Sequence, residues 1–172
     1  AYLASVGGEL RIDGVGIERV RGFTLLEQVG GALVIRASPA LALLDGFDNL
    51  VQVDGDLVIA DNPALFGENA FARLDRVGGT LTLTDLPALG TVQGVVRPSE
   101  LGGLWIERVG VPGVLFPALE TVGDVRMIEL AATTSVSMPA LQTLSGAFEV
   151  RGVGLTTLGA PGTVDGLSLI HI

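Results

Sequence analysis

Residues 47–65 read FDNLVQVDGDLVIADNPAL, and this stretch decides the fold. Its apolar positions follow the template F-x-x-L-x-x-V-x-G-x-L-x-I, after which N-P-A-L supplies a turn signal. The same template begins at Phe23 and again at Phe71, so three copies follow one another at a constant spacing. A fixed period of about 20–29 residues is typical of strand-based solenoids, in which each coil buries its apolar side only against its neighbours.

The template continues along the rest of the chain, although the later coils are shorter. Leu and Ile alternate with polar residues, which predicts one half-buried strand in each coil. Pro recurs in the turn after the strand, because it fixes φ and has no N–H that needs an acceptor. We therefore predict a mainly β fold, a right-handed parallel β-helix-like solenoid of about seven coils with about 20–24 residues each. The first template position of each coil is residue 23, 47, 71, 95, 116, 138 or 158.

The template also predicts the extent of the domain. Leu10 and Ile12 already match it, so we expect a single solenoid domain over residues 1–166 that is truncated at both ends and stacks against further repeats of its own chain. Residues 167–172, LSLIHI, resemble a translated sequencing adapter, so we predict that this tail is adapter-derived and exclude it from fold reasoning. This prediction removes His171, the single histidine of the chain, from any catalytic role.

Composition excludes several classes of partner. The net charge is −9, from 19 acidic and 10 basic residues, whereas nucleic acids and anionic membranes bind basic surfaces. No run of about 18 apolar residues occurs, so we predict no membrane insertion in this segment. Cysteine is absent, which excludes disulfides and thiolate metal sites. All basic residues are Arg, and this composition indicates a GC-rich bacterial source.

Two repeat families resemble the template. Leu57, Ile59, Asn62 and Leu65 match L-x-L-x-x-N-x-x-L of the leucine-rich repeat, and the Gly before the strand with its F-x-x-L-x-x-V lead-in is similar to the receptor L-domain repeat of bacterial surface proteins. The second resemblance implies an extracellular or surface-attached, non-catalytic binding or structural module. The residue after the strand departs from the leucine-rich pattern, which predicts an apolar corner and a β-helix-like cross-section. That position reads Val15, Ser38, Asn62, Leu86, Val109, Leu130 and Val153.

Strand alternation predicts one candidate binding face on the outside of the main sheet. Trp105, the single tryptophan, points away from the core, and Trp and Arg are common anchors of binding surfaces. We expect the ligand to be a protein or a carbohydrate. The alternative is a solvated face of cross-strand pairs, with Arg126 covering the indole ring. The candidate residues are Trp105, Arg126, Glu107, Glu149 and Arg151.

Neither a catalytic residue nor a cofactor or metal site is predicted. An acidic cluster in the third coil has the oxygens that Ca²⁺ prefers, but its spacing matches no known calcium loop. Its members are Asp45, Asp48, Asp54, Asp56 and Asp61. Two alternative functions remain open: a carbohydrate-active β-helix enzyme that uses Asp54, Asp56 and Arg36, and an intracellular scaffold of the leucine-rich-repeat type.

Overall fold

The computed structural model describes residues 3–68, 70–92, 95–151, 154, 156–159 and 169–170. Within these ranges every regular element is a β-strand, and every strand pair is parallel. The strands are β1 (Ser5–Val6), β2 (Leu10–Asp13), β3 (Arg19–Val20), β4 (Gln28–Val29), β5 (Leu33–Arg36), β6 (Leu43–Leu44), β7 (Gln52–Val53), β8 (Leu57–Ala60), β9 (Gly67–Glu68), β10 (Arg76–Leu86), β11 (Glu100–Val109), β12 (Gly113–Leu115), β13 (Thr121–Ile128), β14 (Ser135–Ser137), β15 (Thr143–Leu144), β16 (Phe148–Arg151), β17 (Thr157–Gly159) and β18 (Leu169–Ile170).

The central sheet stacks the main strand of each coil on the main strand of the coil before it. Leu33 pairs with Leu57, and Leu57 pairs with Leu81, so the three template copies lie on neighbouring rungs. The ladder runs through β2, β5, β8, β10, β11, β13 and β16 and continues to β18. The predicted solenoid is therefore confirmed. The origin of residues 167–172 stays a prediction, and His171 lies outside the described residues.

The core consists of the inward side chains of these rungs. Leu33, Leu57 and Leu81 are fully buried, and each buried Leu or Ile stabilises the fold by about 1.5–3 kcal/mol. The first phenylalanine of each of three successive template copies stacks on the next. The ring centroids are 5.0 Å apart between Phe23 and Phe47 and 5.4 Å apart between Phe47 and Phe71. The constant period of the first coils thus aligns identical side chains, which stack face to face.

The corner after the main strand changes character along the solenoid. In the second and third coils it is polar, with Ser38 and Asn62. Asn62 is fully buried, and it bonds the backbone of the preceding coil through both its amide oxygen and its amide nitrogen. In the later coils Leu86, Val109 and Leu130 fill the same position and are buried in the core. The predicted apolar corner is confirmed for these coils, while Val153 lies outside the described residues.

A residue in the left-handed conformation lies at or next to the end of the main strand in most coils. Its φ is 51° to 56° in five consecutive coils, a backbone region that side chains other than Asn, Asp and Gly seldom adopt. The coil nevertheless keeps its ladder here, because the N–H of Asp61 donates to the carbonyl of Thr84 at 3.1 Å. This bend turns the chain out of the central sheet and places one side chain per coil at its edge. The five residues are Ala37, Asp61, Asp85, Arg108 and Glu129.

A second side of the solenoid is built from two short sheets instead of one continuous sheet. Strands β3, β6 and β9 form the first, and β12, β14 and β17 form the second. Between them lies the fourth coil, where Thr91 and Val92 occupy the corresponding position without forming a strand. Within the described ranges, β9 and β12 are therefore the facing ends of two separate sheets.

Candidate functional site

The structure brings the five predicted face residues together on the outside of the central sheet. Strand β11 supplies Trp105 and Glu107, β13 supplies Arg126, and β16 supplies Glu149 and Arg151. Trp105 pairs in register with Arg126, which pairs in turn with Glu149. Because both strand pairs are parallel and regular at this point, the side chains stand in columns about 4.8 Å apart.

Trp105 is the centre of this group. Its indole N–H donates to the Oε2 atom of Glu107 at 3.0 Å, and the guanidinium carbon of Arg126 lies 5.3 Å from the ring centroid. This distance is within the range of a cation–π contact. The indole is nevertheless 37% exposed, so part of the ring is available to a ligand.

Glu149 links the two arginines of the face. The Nε atom of Arg151 lies 2.6 Å from Glu149 Oε1, and the Nε atom of Arg126 lies 3.5 Å from Glu149 Oε2. Both arginine side chains are about half exposed, at 48% and 49%, so each ion pair contributes about 0–1 kcal/mol to stability. These pairs orient the guanidinium groups more than they stabilise the fold.

Arg108 extends the face, and sequence reasoning missed it. Its guanidinium donates to both carboxylate oxygens of Asp85, at 2.6 and 2.9 Å, and contacts Glu129 at 3.3 Å and also Glu107. The hydrogen bonds to Asp85 raise the pKa of Arg108 and lower the pKa of the Asp85 carboxyl. Asp85, Arg108 and Glu129 meet because all three occupy the left-handed bend, and neither Arg nor Glu is a residue type that predicts this conformation.

We call this connected set the outer network. It joins the fourth to the seventh rung of the central sheet through hydrogen bonds, ion pairs and one cation–π contact. It presents carboxylates, guanidinium groups and an indole on rigid strands, and these are groups that commonly contact ligands at recognition surfaces. Its members are Asp85, Trp105, Glu107, Arg108, Arg126, Glu129, Glu149 and Arg151.

The acidic residues of the third coil do not converge. Asp54 accepts hydrogen bonds from the side-chain amides of Gln28 and Gln52, and Asp56 caps the backbone N–H of Thr80 at 2.8 Å. Asp45 lies 3.8 Å from an arginine nitrogen. In the part of the chain that the structure describes, no group of three or more His, Cys, Asp or Glu side chains is arranged to hold a metal ion.

A groove of about 820 Å³ lies beside the interruption of the second side, and sequence reasoning missed it as well. One wall comes from residues 90–92, 96 and 97 of the fourth coil, and the other comes from β12, β14 and the prolines that flank β12. The only sequence signal is local: Gly90 and Val95 replace the Phe66 and Phe71 of the preceding coil. Gly90, which lines the groove, therefore contributes no aromatic ring to its wall.

No family model, no curated protein and no solved structure matches the chain. The described residues include no helix long and apolar enough to cross a membrane. The evidence for the solenoid architecture is therefore the strand pairing. The resemblance to receptor L-domains and leucine-rich repeats stays a prediction from the motifs.

Proposed function

We propose that the chain is a non-catalytic binding module of a bacterial cell-surface or secreted protein, and that it recognises a protein or carbohydrate through the outer network. The observation that carries the proposal is the placement of Trp105, a partly exposed indole on a flat sheet between Glu107 and Arg126. Tryptophan and arginine supply much of the binding energy at interfaces, because they combine large apolar area with hydrogen-bond donors.

The rigidity of the sheet supports this role. Trp105 and Arg126 are held by strands that pair on both sides, so little conformational entropy is lost when a ligand orders them. A protein ligand would exchange the exposed ion pairs of the network for its own, and a carbohydrate ligand would stack a sugar ring on the open part of the indole. Both modes need the indole at the surface.

The decisive experiment measures binding of the folded chain to two panels of probes: immobilised bacterial cell-wall polysaccharides and extracellular-matrix proteins. We expect saturable binding to at least one probe, weakened at least tenfold by Trp105→Ala and by Arg126→Gln, a loss of about 1.4 kcal/mol or more. Phe66→Ala is the matched control, because Phe66 is an exposed aromatic residue, 57% accessible, outside the outer network.

The same panels separate this proposal from its alternatives. Turnover of any polysaccharide, detected as new reducing ends, would favour the carbohydrate-active enzyme and contradict a non-catalytic role. Binding that Trp105→Ala leaves unchanged would remove the outer network from the proposal. The proposed compartment has its own test: sequencing the gene on both sides should reveal a secretion signal or surface anchor, and a complete reading frame without either would favour the intracellular scaffold.

A further inference from the structure

The break in the second side leaves β12 with an unpaired edge. The N–H of Thr134 donates to the carbonyl of Pro112, and the N–H of Phe116 donates to the carbonyl of Ser137, so alternate residues of this segment face β14. Backbone groups in a strand alternate in direction, and those of Gly113 and Leu115 therefore face the fourth coil. In the described part of the chain, no strand pairs with that edge.

The groove lies along this edge, and its lining is apolar with a few hydroxyl groups. Val96 and Leu115 contribute aliphatic surface, and Leu115 is 51% exposed. Ser135 and Ser137, both half-buried, supply hydroxyl groups from the neighbouring strand. Pro112 and Pro117 stand at the two ends of β12 and limit the open edge to about one short strand.

Arg97 gives the groove its charge. Among the residues that the structure describes, the other nine arginines each contact a carboxylate or a side-chain amide, while Arg97 makes no ion pair or hydrogen bond. None of the described residues that line the groove has an acidic side chain. Although the chain has a net charge of −9, an anion bound in the groove would contact the guanidinium of Arg97 without competition from a carboxylate among the described lining residues.

We propose that this groove binds an extended peptide that carries a carboxylate, at a site separate from the outer network. The backbone of the peptide pairs with the free edge of β12, its aliphatic side chains cover Leu115 and Val96, and its carboxylate pairs with Arg97. Strand addition to a free sheet edge is a common mode of peptide recognition, in which backbone hydrogen bonds give affinity and side-chain pockets give specificity. The guanidinium of Arg97 favours a peptide whose free C-terminal carboxylate lies beside it.

The test is a positional-scanning library of dye-labelled pentapeptides with free C-terminal carboxylates, measured by fluorescence anisotropy beside the same library as C-terminal amides. We expect aliphatic residues to be selected at alternate positions, and the free acids to bind about tenfold more tightly than the amides. Arg97→Gln should remove the difference between acid and amide. Arg73→Gln is the matched control, because Arg73 is bonded to Asn49 elsewhere on the surface and should leave both libraries unaffected.

Two results would overturn the proposal. One is the absence of pentapeptide binding at about 1 mM, and the other is binding of free octanoate as tight as that of the selected peptides, which would reassign the groove to small carboxylates. Leu115→Ser should weaken the selected peptides without changing the melting temperature, because this side chain is half exposed. Trp105→Ala should leave groove binding intact, so failure of the outer network and failure of the groove are distinguishable.

Discussion

The side-chain oxygen of Asn62 accepts a hydrogen bond from the backbone N–H of Ser38 at 3.1 Å, across the boundary between two coils. The amide nitrogen of the same side chain donates to the carbonyl of Ile35 at 3.0 Å. Both residues contacted belong to the preceding coil: Asn62 satisfies the backbone N–H of Ser38 at the corner and adds a hydrogen bond to the carbonyl of Ile35, which lies within β5. Ser38 repeats the device one coil earlier, where its hydroxyl accepts from the N–H of Val15 at 3.2 Å.

Removing this side chain should therefore be costly. Asn62→Ala leaves the buried N–H of Ser38 unsatisfied, at about 1–3 kcal/mol, and removes a hydrogen bond to Ile35 of about 1 kcal/mol, so we expect a loss of about 2–4 kcal/mol in the free energy of unfolding, measured by urea titration. Asn49→Ala, which removes a half-exposed amide bonded to Thr24, should lose about 1 kcal/mol. Equal losses in the two variants would contradict the role of Asn62.

The glycine before each strand sets the distance between coils. Two explanations suit Gly55 at the sequence level, a positive φ or a close approach, and the structure supports the second: a Cβ atom at Gly55 would lie 2.8 Å from the carbonyl carbon of Gly31, and its φ is not positive. Backbone cannot yield as a flexible side chain does, so the two rungs would have to separate. The close pairing of the central sheet thus requires a residue without a side chain at position 55.

Gly55→Ala should destabilise the fold by about 1–3 kcal/mol, and Gly55→Val by more, because both overpack the contact between coils. The expected fall in melting temperature for alanine is about 3–10 °C, measured by circular dichroism. Gly8→Ala is the matched control in the same column, since its Cβ would meet nothing within 4 Å. A control that melts as early as Gly55→Ala would show that backbone entropy, and not the close approach, is responsible.

The Asp85–Arg108 pair should make stability depend on acid pH. The hydrogen bonds from Arg108 lower the pKa of Asp85 below its unfolded value of about 3.9. The stabilisation is therefore complete above that pH and is lost as the pH falls through the lower folded pKa. Since both side chains are more than one-third exposed, the effect on the melting temperature should be small and should shrink in about 1 M salt.

Carboxyl-detected NMR tests this assignment directly. In Arg108→Gln, we expect the pKa of Asp85 to rise toward its ordinary value, and the melting temperatures of variant and parent to converge at acid pH. Arg126→Gln should leave the pKa of Asp85 unchanged, because Arg126 pairs with Glu149 and not with Asp85. An unchanged Asp85 pKa in Arg108→Gln would assign the shift to another cause.

The periodic part of the structure was predictable from the sequence. The outward column of the central sheet follows from aligning the template copies, because parallel pairing places matching template positions side by side, and the one register shift, between Val77 and Thr80, falls where the fifth copy is one residue shorter. The column is Arg11, Val34, Val58, Thr82, Trp105, Arg126 and Glu149. The cation–π contact between Trp105 and Arg126 follows in the same way, since the two residues are neighbours in one column.

The features that the period does not encode were missed. Arg108 joins the outer network through a left-handed backbone, and neither Arg108 nor Glu129 belongs to the residue types that favour that conformation. The groove lies where Thr91 and Val92 form no strand, although both positions match the strand pattern of the coils on either side. Such local breaks depend on tertiary geometry and not on residue type.

The interrupted second side also has a mechanical meaning. Each continuous sheet links successive coils by hydrogen bonds along the solenoid axis. The more such sheets a coil belongs to, the more strongly the solenoid resists bending at that coil. At the fourth coil the described residues form no strand on this side, while the central sheet continues, so we expect the solenoid to bend most easily there, about the central sheet. A load applied along the axis would therefore widen or narrow the space beside β12, which couples tension to the shape of that opening.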